Sequence, residues 1–102
     1  MTKAIWTDYA KESLQQTIDF LETQWGSEFK EDLITLIDKR INQVVLNPNI
    51  APFLEGTSFK KLLIHKHLTI FYSVFPNTVK IILVWDNRQN PDNLEKTLTS
   101  IK

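Results

Sequence analysis

A chain of 102 residues, with no cysteine, two glycines and twelve acidic against twelve basic side chains, has room for one domain over 1–102 and one hydrophobic core. The lack of cysteine excludes disulfides, thiol nucleophiles and thiolate metal sites, and it fits a reducing compartment. No apolar run approaches the ~20 residues of a membrane helix, and Met1–Asp8 lacks the apolar stretch of a secretory signal, so the chain reads as soluble and cytoplasmic. The charge is unevenly spread. Through Ser58 there are five Lys/Arg against nine Asp/Glu, and from Phe59 onward seven against three. A basic second half is either an accident of composition or a face for a polyanion or an acidic partner.

Ile5 and Trp6 open the chain as a short strand, and Thr7 or Asp8 serves as a helix N-cap. Leu14, Ile18, Leu21 and Trp25 recur at helical spacing, and Gly26 ends that helix. Ser27 is placed to cap a second helix, whose apolar stripe is Phe29, Leu33, Leu36, Ile37, Ile41, Val44 and Val45. Asn47-Pro48 closes it, because proline restricts the residue before it and cannot continue the ladder. Residues 47–57, with two prolines and a glycine, form a loop.

The period then changes from helical to two. Residues 59–64 form a strand. Leu68, Ile70, Tyr72 and Val74 alternate with Thr69, Phe71, Ser73 and Phe75 in the next. After a turn at Pro76-Asn77, Val79, Ile81, Leu83 and Trp85 alternate with Lys80, Ile82 and Val84. Apolar residues on both faces indicate a strand inside the sheet, with one face under the helices. The turn at Lys66-His67 lacks the glycine or asparagine usual in a two-residue hairpin. Asn90-Pro91 reads as an N-cap and first helical residue, with Leu94 and Leu98 pinning a short C-terminal helix. The order β-α-α-β-β-β-α gives an α+β fold, an N-terminal strand and helical hairpin packed on an antiparallel sheet.

Several stretches are similar to those of the RelE/ParE toxins of type II toxin–antitoxin modules, the plasmid-stabilisation type. Lys61-Leu62-Leu63 followed by Ile70-Phe71-Tyr72-Ser73-Val74 resembles an Arg-x-Leu strand followed by an Ile-Phe-Tyr-x-Val strand. Ile81–Arg88 resembles the last strand of the family, which ends in a basic residue. The N-terminal strand, the Ala10–Leu14 region, Phe20-Leu21 and Gly26 also fit, so the resemblance spans nearly the whole chain. It implies an antitoxin as partner and one of two activities: cleavage of mRNA on the ribosome, as in RelE-like members, or poisoning of DNA gyrase through protein contact, as in ParE-like members. It implies no cofactor.

Cleavage of RNA by its own 2′-hydroxyl requires a base, an acid and cations for the phosphorane charge. Arg88 matches the arginine after the last strand, and Lys60 and Lys61 lie near the basic strand of the family. The position before Ile70 holds Thr69 where the resemblance calls for arginine, and the C-terminal aromatic position falls on Leu94. His65 and His67 have the right chemistry for acid–base work near neutrality, against the plainer reading of two exposed histidines in a hairpin turn; two histidines without a third ligand make no metal site. Lys60, Lys61, Lys66, Lys80 and Arg88 form either a basic patch or a lysine-protected sheet edge. Trp6, Trp25 and Trp85 belong to the core or to an antitoxin groove. Phe53 and Leu54, apolar residues in a proline-bounded loop, are candidates for antitoxin contact, with Lys61 and Arg88 as further target or antitoxin contacts.

The favoured reading is a ParE-like toxin that meets its target, with DNA gyrase as the implied one, by protein contact. A ribosome-dependent endoribonuclease and a homologue that only binds its antitoxin are the alternatives.

Overall fold

The computed structural model describes residues 2–100. Strand β1 (Lys3–Trp6) leads into helix α1 (Asp8–Trp25) and helix α2 (Ser27–Leu46); strands β2 (Lys60–His65), β3 (Leu68–Phe75) and β4 (Thr78–Asp86) follow, then helix α3 (Pro91–Ser100). The sheet order is β1-β4-β3-β2. β2, β3 and β4 are antiparallel neighbours, as the change of period predicts. β1 pairs in parallel with β4, from Lys3 opposite Thr78 to Trp6 opposite Ile81, so the complete sheet is mixed. β1 and β2 thus occupy opposite edges, and the helical hairpin carries the chain across all four strands.

Helix boundaries follow local chemistry. The Thr7 hydroxyl accepts from the backbone N–H of Ala10 at 3.0 Å and caps α1. Gly26, at φ +90°, separates the two helices in a conformation that L side chains rarely adopt. It also occupies the cap position of α2, with no side-chain cap, so Ser27 is the first helical residue rather than the cap. Asn90 Oδ1 accepts from Asp92 N at 2.9 Å at the start of α3.

β1 stops opposite Ile81, which leaves open the edge of β4 beyond it. Polar residues around the start of α1 take over there. The Ile81 carbonyl accepts from both the backbone N–H and the hydroxyl of Thr7, and Val84 N–H donates to Ser13 Oγ at 3.0 Å. Among the described residues no buried side-chain nitrogen or oxygen lacks a partner.

Two apolar clusters lie on the two faces. On the hairpin face, Ile18, Leu21, Leu33, Ile37, Ile41 and Val44 pack on Leu62, Ile70, Tyr72, Val79, Ile81 and Val84. On the other face, Phe71, Ile82, Leu83 and Trp85 meet Leu98 of α3, flanked by Leu54, Phe59 and Leu94. The alternation in β4 is broken: Phe71 pairs with Leu83 and Tyr72 with Ile81, so Ile82 is a bulge. Ile82 and Leu83 therefore face the same way, and Val84 joins Val79 and Ile81 on the hairpin face while Leu83 and Trp85 do not. Unbroken alternation would have placed Val79, Ile81, Leu83 and Trp85 together.

A second irregularity lies in β2, where Leu63 pairs with Thr69 and His65 with Leu68. It adjoins the Lys66-His67 turn, in which neither residue takes a positive φ. Asn87 supplies what the turn sequence lacks. Its Nδ2 donates to the carbonyls of His65 and Lys66, its Oδ1 accepts from the Thr69 hydroxyl at 2.7 Å, and its own N–H donates to the His67 carbonyl. Thr69 is 1% exposed, so loss of this partner strands a buried hydroxyl. Asn87→Ala is expected to cost about 1–3 kcal/mol in urea unfolding. Asn87→Ala and Thr69→Val together should cost less than the two added singly, because they remove one shared bond.

Candidate functional site

The bulge at Ile82 fixes the phase in which β4 arrives at Asp86, opposite Leu68 and on the hairpin face. Two residues later the chain turns, and Arg88 folds back on Asp86. Arg88 Nη2 donates to Oδ2 at 2.9 Å, Nε to Oδ1 at 3.1 Å, and the Arg88 backbone N–H to Oδ1 at 2.9 Å. This forked ion pair is partly shielded, with side chains 35% and 11% exposed. Burial raises the Asp86 carboxyl, but the hydrogen bonds and charge of Arg88 outweigh it and hold the group below its ordinary value. Arg88 is correspondingly held in its charged form.

The guanidinium lies over two aromatic rings from the end of α1, 4.7 Å from the Phe20 centroid and 5.3 Å from Trp25. Phe20 and Trp25 are 49% and 44% exposed. Trp25 is thus neither core nor free surface: it stacks on His67 at 4.7 Å and meets Phe29 of α2 at 5.2 Å, while His65 stands edge-on to Phe29 at 5.7 Å. A cavity of ≈ 510 Å³ adjoins the ion pair, lined by Gln16, Thr17, Phe20, Asp86, Arg88 and Gln89. Arg88, His65 and His67 are therefore brought together, on the hairpin side of the sheet. His65 Nδ1 accepts from His67 N–H at 3.3 Å, which assigns this nitrogen a structural bond.

The lysines are not gathered there. Lys60 is 5% exposed; its Nζ donates to the Ala51 carbonyl at 3.1 Å and sits 3.8 Å from the Phe53 ring centroid. It holds the 48–53 loop, beside Tyr72, whose hydroxyl donates to the Pro48 carbonyl at 2.9 Å. Burial pushes that phenol upward, so it stays neutral. Lys61 lines a cavity of ≈ 280 Å³ on the α3 side, with Thr69, Phe71, Trp85, Asn87, Gln89 and Leu94 among its walls. Lys80, opposite Ser73, also faces away from the hairpin, and Lys66 stands exposed in the turn. The five cations are dispersed over two faces rather than joined in a patch. The edge reading is modified as well: Lys61 N–H donates to the Pro52 carbonyl, and Phe53 bridges to Lys60, so the loop covers the start of the β2 edge.

The positions that the resemblance assigns to RNA cleavage thus fall in two places. Lys61, Thr69 and Leu94 converge on the α3 side, whereas Arg88 lies on the hairpin side, paired with Asp86. Phe53 is 61% exposed, and Leu54 packs at the edge of the second core cluster. The Asp86–Arg88 pair and its aromatic bed form a unit only in the folded chain. Asp86 two residues before Arg88 was the available signal, but the bulge that orients both is invisible to periodicity.

Residues 4–91 match the family described as the ParE toxin of the type II toxin–antitoxin system, parDE. The chain belongs to this family. It is the toxin component of such a system, whose other component is an antitoxin. Among solved structures it is similar to a chain of the chromosomal ParDE TA system from P. aeruginosa, with a TM-score of 0.71 and 17% identity over 84% of this chain and 96% of that one. That likeness bears on the fold, which agrees in class with the sequence reading. No curated protein sequence matches. The ParE match ends at Pro91, so nearly all of α3 lies beyond it. Among the described residues of this ParE-family chain, no helix is long and apolar enough to cross a membrane.

His67 is held below its ordinary value of 6.5, first by burial and then by the charges of Lys66, His65 and Arg88, against a smaller pull from Asp86. A histidine with a depressed folded pKa binds fewer protons folded than unfolded. Its contribution is therefore complete above the unfolded value and is lost as pH falls below it. Stability should decline as pH drops below about 6.5, and His67→Gln should flatten that part of the profile in urea unfolding followed from pH 8 to 5. An unaltered slope would remove His67 from the effect.

Proposed function

We propose that this ParE-family toxin acts in the cytoplasm by protein contact, with DNA gyrase as target, and does not cleave RNA. The observation that carries this reading is the separation of Arg88 from the Lys61–Thr69–Leu94 cavity. A phosphorane needs its cation within hydrogen-bond reach of the developing charge, with an acid and a base beside it. Here Lys61 is the one charged wall of the cavity, Thr69 is committed to Asn87, and Arg88 is engaged by Asp86 on the other side of the sheet. A zero net charge also serves a ribosome binder poorly, since such binding rests on many cation–phosphate contacts.

The hairpin side is better suited to a protein surface. Phe20, Trp25 and Arg88 are partly exposed, with the guanidinium over both rings, and tryptophan and arginine are residue types that dominate binding energy at interfaces. Lys61, on the α3 side, and Phe53 and Leu54, in the loop that covers the start of β2, remain candidates for further contacts. Neutralisation by the cognate antitoxin is assigned to the loop side, where Phe53 projects from the proline-bounded segment and Leu54 opens onto a groove.

Induced expression tests this directly. The wild type is expected to produce gyrase-dependent DNA breaks with no codon-dependent cuts in translated messages. Arg88→Ala should weaken toxicity in proportion to one lost contact, not by the ~10²–10³ in rate that removal of a preorganised transition-state donor typically costs. Thr69→Arg with Leu94→Tyr should create no cleavage, since the guanidinium introduced at a 1%-exposed position must displace the Asn87 bond. Mapped mRNA ends showing codon-dependent cuts in cells expressing the wild type would overturn the proposal in favour of a nuclease.

A further inference from the structure

We infer that the groove between the 54–59 turn and α3 docks a basic amphipathic segment of the antitoxin, one apolar side chain entering the groove and Lys or Arg side chains meeting its rim. This rests on the reading of the chain as a toxin neutralised by an antitoxin. The groove has a volume of ≈ 480 Å³; its floor is Leu54, Phe59, Leu94 and Leu98, the residues that close the second core cluster. Only Leu98 of these is buried, so the apolar floor remains open to solvent.

Both walls are tied in place. In the turn, the Thr57 hydroxyl donates to the Leu54 carbonyl at 2.9 Å and accepts from Phe59 N–H at 3.1 Å, and Leu54 N–H donates to the Phe59 carbonyl at 2.8 Å. Gly56, at φ +78°, allows the chain to reverse there. The opposite wall is α3, from Pro91 to Thr99, whose start is capped by Asn90. A preformed apolar groove favours an ordered amphipathic segment, because little is lost in arranging the receptor.

The rim selects the partner's charge. Glu55 stands on the turn wall and Glu95 on the helix wall, with Asp92 one turn back on α3. Among the described residues there are two ion pairs, Glu22–Lys30 and Asp86–Arg88, and neither includes these three carboxylates. Among the described residues, Lys96 is the one basic side chain lining the adjoining surface of α3. Glu55 and Glu95 line the groove itself and no basic residue among those described does, so the apolar floor is set to repel an acidic segment and attract a basic one.

The test uses the full chain and the protein encoded beside it, titrated by calorimetry. Glu55→Gln with Glu95→Gln should raise Kd about five- to tenfold at low salt, with the difference shrinking as salt screens the pairs. Both residues are exposed, so the thermal midpoint should not move. Leu94→Ser should weaken binding irrespective of salt, and Glu12→Gln, on α1, should change nothing. Reversing a partner Lys to Glu should be compensated by Glu95→Lys. Binding of the wild type with the Glu55/Glu95 variant unaffected at every salt concentration would overturn the inference alone. A wild type that does not bind the neighbouring protein at all would overturn the antitoxin reading beneath it.

Discussion

The bulge at Ile82 inserts one residue opposite the Phe71–Tyr72 step, and every later residue of β4 changes face as a result. Before it, Val79 and Ile81 look toward the helical hairpin; after it, Leu83 and Trp85 look toward α3, and Val84 and Asp86 take the hairpin side. A strand has a side-chain period of two, so a single extra residue is enough to exchange the two faces. Both cores depend on this exchange. Without it, Trp85 would enter the hairpin core and Asp86 would lie under α3, each in the wrong environment.

Asp86 carries the consequence to the surface. Placed on the hairpin side, it takes Arg88 in a forked pair and lays the guanidinium across Phe20 and Trp25. The aromatic rings hold the arginine stem and plane while the carboxylate holds its donors, so the charge is fixed in direction rather than spread over rotamers. Trp25 also receives His67 from the β2–β3 turn, and that turn is held by Asn87, the residue between Asp86 and Arg88. Three consecutive residues after one bulge therefore organise the end of α1, the hairpin turn and the exposed aromatic surface.

The opposite side of the sheet is built differently. There α3 and the loop after α2 close a smaller cluster and leave shallow openings, one beside Lys61 and one beside Leu54. On the hairpin face, Lys60 and Tyr72 hold the start of that loop through the carbonyls of Ala51 and Pro48. A lysine next to the basic strand thus serves as an internal brace, its ammonium paired with a carbonyl and an aromatic face instead of a phosphate. The two sides divide the molecule into an aromatic, arginine-bearing surface and a groove flanked by Glu55 and Glu95.

The sequence by itself determined the elements, because their causes are local. The stripe Leu33/Ile37/Ile41 has helical period, Thr7 and Asn90 have capping side chains, and residues 68–75 alternate without interruption. It also carried the family, through an ordered set of strand segments that the match over residues 4–91 bears out. Periodicity could not reveal the parallel docking of β1, since pairing partners are chosen by the hairpin crossing and not by four residues of strand. Nor could it locate the bulges, because the apolar run Ile81-Ile82-Leu83-Val84 fits either face at every position. The fates of Lys60, Lys61 and Arg88 were decided only by tertiary structure. Their charges look alike in sequence, yet one is buried under a loop, one lines a cavity and one is clasped by Asp86 on the hairpin side, because a long side chain goes where the surrounding carbonyls, rings and carboxylates can satisfy it.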